Sequence, residues 1–124
     1  METRACWLWN DGHLRCRFKA DAEVVLADAV ECVRASPAIT GMRRVPALID
    51  LRWLRSQSSE ARDYFSAPEA LLVSNAVALL VGSPLSRAIG NFYLGFNRPN
   101  VPTRIFNEES AALEWLQSFM SKAA

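Results

Sequence analysis

This chain has little of what marks membrane, nucleic-acid or metal chemistry. No apolar run approaches the length of a bilayer-spanning helix, so stable membrane insertion is not expected. An excess of one charge is also missing. The 14 Lys and Arg against 13 Asp and Glu leave +1, without the basic patch that nucleic acid or an anionic surface requires. His13 is the one histidine, and Cys6, Cys16 and Cys32 show no metal-ligand spacing, so no metal site is expected. An odd number of cysteines does not make a disulfide framework, and a reducing cytoplasm is the simplest compartment. Met1-Glu-Thr-Arg lacks a basic segment leading into an apolar one, so no signal peptide is expected. Neither a P-loop nor a dinucleotide fingerprint occurs, and no cofactor is predicted.

What is present suits one globular domain over residues 1–124. The chain is long enough to bury a core unaided, and 51% hydrophobic with 22% charged residues argues against disorder. Its most informative stretch runs from Asn75 to Phe96. Ala76 to Val81 is apolar throughout, which suits a parallel strand covered on both faces. Ser83 is placed to cap a following helix, and Pro84 fits the first helical position, where no N–H is needed. That helix carries Leu85, Ala88, Ile89, Phe92, Tyr93 and Phe96 on one face, with Leu94 off the stripe.

The rest of the chain repeats this logic. Arg4 to Trp9 and His13 to Phe18 read as a hairpin around an Asn10-Asp11-Gly12 loop. That register sets Cys6 opposite Cys16 and Leu8 opposite Leu14, and puts Trp7, Trp9, His13, Arg15 and Arg17 on the other face. Asp21 is expected to cap a helix to about Ala35, burying Ala22, Val25, Leu26, Ala29, Val30 and Val33 and leaving Asp28, Glu31 and Arg34 in water. Pro37 and Gly41 are expected to end it. Val45 to Leu51 reads as a buried strand, and Arg52 to Ser59 as a loop. Ser58 or Ser59 starts a helix bearing Ala61, Tyr64 and Phe65, which Pro68 interrupts or restarts. Asn97 to Pro102 connects to a last strand at Thr103 to Phe106. Asn107 is expected to cap a final helix that buries Ala111, Ala112, Trp115, Leu116, Phe119 and Met120. The predicted order is ββαβαβαβα, an α/β domain.

Certain pieces of this order resemble the SpoIIAA-like (STAS) superfamily, in particular its small bacterial STAS/SEC14-domain proteins. They are Leu48-Ile-Asp-Leu51, Glu60-Ala-Arg62 with Tyr64-Phe65, Ala78-Leu-Leu-Val-Gly-Ser-Pro-Leu-Ser-Arg-Ala-Ile-Gly-Asn91, Thr103-Arg-Ile-Phe106 and Ala112-Leu-Glu-Trp-Leu116. The resemblance implies a five-stranded mixed sheet with four main helices mostly on one face. It also implies cytosolic protein–protein signalling rather than catalysis, with a switch serine at the start of the helix after the central strand. That position falls near Ser56, Ser58 and Ser59. Here the chain reads Ser56-Gln-Ser-Ser-Glu-Ala61, with no Asp before and no Gly after the serine pair, and Glu60 would repel an added phosphate.

Several places are candidate sites. Ser58 and Ser59 read as helix caps, with phosphorylation as the alternative. Ser83, Ser86 and Arg87 crowd one helix N-terminus, as a cap with a solvated Arg or as an anion cradle. Asp50, Arg52, Ser83 and Asn107 fall at the carboxyl rim of the parallel strands, where open α/β sheets tend to bind ligands. Trp7, Trp9, Arg15 and Arg17 form a face that suits either internal stacking or an interface. Cys6 and Cys16 read as reduced core thiols, with a cross-hairpin bridge as the alternative. No catalytic set is assigned: Gly82-Ser83-Pro84 lacks the second glycine of a nucleophile elbow, and His13 reads as a turn residue. The leading expectation is therefore a non-enzymatic cytoplasmic interaction module that forms a homodimer. The alternative is a binder of a small apolar or anionic ligand, held between the Phe92/Phe96 helix and the sheet with Arg87 near the mouth.

Overall fold

The structure is a computed structural model and describes residues 1–71, 73–95 and 101–120. Phe96 and residues 97–100 of the expected connector lie outside the described residues. Strands β1 (Cys6–Asn10), β2 (Leu14–Phe18), β4 (Val45–Asp50), β6 (Ser74–Leu80) and β7 (Thr103–Phe106) form one sheet in the order β1-β2-β4-β6-β7. Only the β1–β2 pair is antiparallel. A small second sheet pairs β3 (Glu23–Val24) with β5 (Ser56–Gln57) in parallel. The helices are α1 (Leu26–Thr40), α2 (Ser59–Ser66), α3 (Pro84–Leu94) and α4 (Glu109–Gln117), with a 3-10 turn at Pro68–Leu71.

From β2 to β7 every parallel step moves the same way across the sheet. Right-handed crossovers then place α1, α2 and α3 on one face. Strand alternation matches this division. Ala47, Leu51, Val77, Leu79 and Val81 pack with Ala29 and Cys32 of α1, Ala61 of α2 and Ile89 of α3. The other face carries Leu48, Ala76, Ala78 and Leu80, covered by Ala112 and Leu116 of α4. With helices on both sides, Ala76 to Val81 has no polar face, as its sequence requires.

Several expected details differ. The hairpin pairs Leu8 with Cys16 and Cys6 with Phe18, two residues away from the expected register. Its loop is Asp11-Gly12-His13, where the Asn10 side chain accepts the Gly12 N–H at 3.0 Å and Gly12 takes φ +101°. An even slip preserves the faces, so the Trp and Arg residues keep their common side. His13 is not among them as an exposed turn residue; it is buried at the hairpin end.

The first helix starts at Leu26, not after Asp21. Residues Glu23–Val24 are held extended by β5, and Asp21 takes φ +60° in a turn. Asp28 is buried rather than wet. Its carboxylate accepts the Val25 N–H at 3.0 Å and pairs with Arg4 at 3.2 Å. Val25 and Leu26 face outward instead, while Ala29, Cys32 and Ala35 pack inward. Pro37 does not end this helix, which runs on to Gly41 in the left-handed conformation.

Helix α3 is capped as expected, by Ser83 before Pro84. Its inner face is Ser86, Ile89 and Gly90, so Leu85 and Phe92 are turned outward. Gly90 allows this close approach: a Cβ there would lie 3.1 Å from both Ile105 and Val81. In α4 the cap position is Glu108, without a side-chain bond, and Asn107 is not the cap. Ala111 is exposed rather than part of the buried stripe.

Candidate functional site

Between the sheet and the three-helix layer lies a partly open apolar cavity of about 100 Å³. Its sheet wall includes Leu14, Phe18, Ile49, Val77 and Leu79, and its helix wall includes Val33, Phe65 and Tyr93. The one strong polar feature is Gln57, whose side-chain oxygen accepts the Tyr93 hydroxyl at 2.8 Å. Its amide nitrogen has no hydrogen-bond partner among the described residues. Gln57 is fixed there from both sides. Its backbone pairs with Val24, and Ser58 behind it caps α2.

Cys16 and Cys32 also line this cavity. Behind them Cys6 lies 2.9 Å from Cys32, sulfur to sulfur, with the Thr3 hydroxyl 3.3 Å from Cys6 and 3.9 Å from Cys32. Hydrogen bonds from Cys16, then Cys32, pull Cys6 below the usual thiol range, outweighing burial. The bonds with Cys32 and Cys6, together with burial, push Cys16 well up. For Cys32 the contact with Cys16 lowers the value, but the bond to Cys6 and burial outweigh it and push the thiol up.

The carboxyl rim holds a second polar cluster. Arg52 forks onto Asp50 with bonds of 3.0 and 2.8 Å, which raises the Arg52 pKa further. Arg17 lies 3.4 Å from the same carboxylate. Glu109, in the first turn of α4, lies 3.7 Å from Arg17, 3.7 Å from Arg52 and 3.8 Å from Arg15, and Arg15 also meets Asp11 at 3.1 Å. Arg15 and Arg17 both stack on Trp9, at 5.9 and 5.8 Å. Most of the Trp/Arg face is thus engaged within the chain. Trp7 remains 41% exposed, with Lys19 over its ring.

At the α3 N-terminus the two serines satisfy each other. The Ser86 hydroxyl is fully buried, accepts from the Gly82 and Ser83 N–H groups and donates to the Ser83 carbonyl. Ser83 in turn accepts the Ser86 N–H at 3.0 Å. These contacts occupy the donors an anion would need, and Arg87 is exposed. Ser58 accepts the Ala61 N–H as the α2 cap, while Ser59 is the exposed first residue of that helix. His13 precedes β2 at one end of the sheet and Ser83 follows β6 at the other, so no hydroxyl–imidazole pair forms. Asn107 is exposed beside the rim.

Sequence reading did not single out Gln57, Tyr93 as its partner, Glu109 as a partner of three arginines, or Cys32 as the neighbour of Cys6. Only the Cys32 position, one helical turn beyond Ala29, carried a signal for facing the sheet.

The model of one family, described as a domain of unknown function (DUF7793), matches residues 6–120. The chain belongs to this family. No curated protein matches this DUF7793 chain. Among solved structures it is similar to an uncharacterised DUF3478-family protein from Shewanella loihica PV-4, which has a SpoIIAA-like fold. The TM-score is 0.64 at 19% identity, over 94% of this chain and 98% of that one. That likeness carries the fold, and the expected SpoIIAA-like α/β architecture of this DUF7793 domain is the one observed. Among the described residues no helix is long and apolar enough to cross a membrane, and no group of side chains is arranged to hold a metal.

Proposed function

We propose that this domain is a non-enzymatic binding module for a small apolar molecule held between the sheet and the helical layer. The apolar cavity of about 100 Å³ supports this reading. An apolar cavity of that order suits a ligand of roughly one ring, and one polar group at its wall sets orientation. The free amide nitrogen of Gln57 favours a ligand with one acceptor oxygen. Arg87, which the sequence suggested for the mouth, is not among the residues that line the cavity, whereas Gln57 and Tyr93 are. Indole, cyclohexanone and p-cresol, titrated against methyl NMR spectra of the full chain, test the reading. Shifts are expected at Leu14, Val77 and Leu79. Unmoved cavity methyls at saturating cyclohexanone, in a chain that remains folded, would reject it.

A second reading keeps the expected homodimer. Leu85, Ala88 and Phe92 share the outer face of α3 at positions i, i+3 and i+7, and Leu85 is 42% exposed. The net charge of +1 gives two copies little reason to repel one another. Light scattering with Leu85→Asp tests this: the wild type is expected to be a dimer and the variant a monomer. A wild-type monomer at all concentrations removes this reading and leaves the cavity reading intact.

A further inference from the structure

We infer that Cys6 and Cys32 form an oxidisable thiol pair that closes to a disulfide when an organic hydroperoxide enters the apolar cavity and meets Cys32. The argument begins with position. Cys6 lies on β1, Cys32 in the middle of α1, and they are far apart in sequence, yet their sulfurs are 2.9 Å apart. Only Cys32 of this pair borders the cavity; Cys6 is fully buried behind it. The cavity wall is apolar, so a neutral hydroperoxide with a hydrocarbon group suits it better than a charged oxidant. The lowered pKa of Cys6 makes it the thiolate of the pair, the form that attacks an oxidised sulfur.

The step balances without any further partner. The Cys32 sulfur attacks the terminal oxygen of the hydroperoxide, the O–O bond breaks, and the Cys32 proton passes to the departing alkoxide oxygen, giving Cys32 sulfenic acid and an alcohol. The Cys6 thiolate then attacks the Cys32 sulfur, and the hydroxide it displaces takes up the proton that Cys6 had released to solvent and leaves as water. Two electrons have moved from the two sulfurs to the peroxide. A thiol–disulfide exchange reverses the state. The pair is distinct from the expected cross-hairpin partner: Cys16 faces Leu8 in the observed register, not Cys6.

The test treats the folded, reduced chain with tert-butyl hydroperoxide, blocks remaining thiols in denaturant, and maps linked peptides by mass spectrometry. The expected product has lost two hydrogens, carries a Cys6–Cys32 link, keeps Cys16 alkylatable and is restored by dithiothreitol. The urea-unfolded chain supplies the contrast. There loop closure favours the shorter Cys6–Cys16 and Cys16–Cys32 links. A folded chain that yields chiefly those links, or whose thiols all survive doses that oxidise the unfolded chain, overturns the inference. In Cys6→Ser the reaction is expected to stop at a dimedone-reactive Cys32. Label on Cys16 instead overturns the assigned order of attack. Should that variant fail to fold, the wild-type peptide map decides the matter alone. Cavity occupancy by the compounds above is a separate readout, so either proposal can fail without the other.

Discussion

At the scale of single residues, buried polar groups are the most constrained positions. Ser86 has one hydroxyl, itself out of water, that takes two backbone N–H groups and gives its own proton to a carbonyl. Removing that oxygen strands the Gly82 and Ser83 donors, and an unsatisfied buried donor costs about 1–3 kcal/mol. Ser86→Ala is expected to lower unfolding stability by about that amount in urea titrations. Ser86→Thr, which keeps the oxygen, is expected to lose less unless the added methyl clashes. An unchanged midpoint for Ser86→Ala would refute the assigned role. Ser83 and Pro84 were legible as a cap because capping is local chemistry. The Ser86 role was not, since it depends on how tightly the strand end turns back over the helix.

At the scale of elements, α4 is the exposed weakness of the fold. Three helices share one face of the sheet, whereas α4 alone covers Leu48, Ala76, Ala78 and Leu80. Leu116 is fully buried there, and small alanines on β6 let the helix sit close. Leu116→Ala leaves a cavity that few neighbours can collapse into, at a cost of about 2–5 kcal/mol. The expected signature is faster amide exchange in α4 than in α1 to α3. Equal acceleration across all four helices would mean that α4 is not a separable layer. Helix and strand existence was readable from periodicity, but boundaries were not. The start of α1 lies later than the apolar periodicity implies because β5, some thirty residues on, holds residues Glu23–Val24 extended. The faces of α1 and α3 were rotated because Asp28 and Ser86 are paid for by hydrogen bonds that polarity alone does not reveal.

At the scale of the whole molecule, strand order explains why the two candidate regions exist. Because every parallel step goes the same way, the sheet has no reversal in strand order of the kind that opens a binding crevice at the carboxyl rim. That rim is filled instead by Asp50, Arg52, Arg17 and Glu109 in mutual contact. The free volume lies under the helical layer, where α1, α2 and α3 meet the sheet.

The sequence by itself determined the five strands of the main sheet, the four helices, their order and the apolar centre, because burial and capping are written in neighbouring residues; it did not show the β3–β5 pair, whose residues read as helix and loop. It determined that Trp9, Arg15 and Arg17 share a face, because strand alternation survives an even slip of register. Only the tertiary structure decided what those residues meet. Glu109 reaches the arginines, Cys32 reaches Cys6, and Gln57 reaches the cavity through contacts between distant parts of the chain. No local pattern encodes such contacts, since they depend on where whole elements are set down.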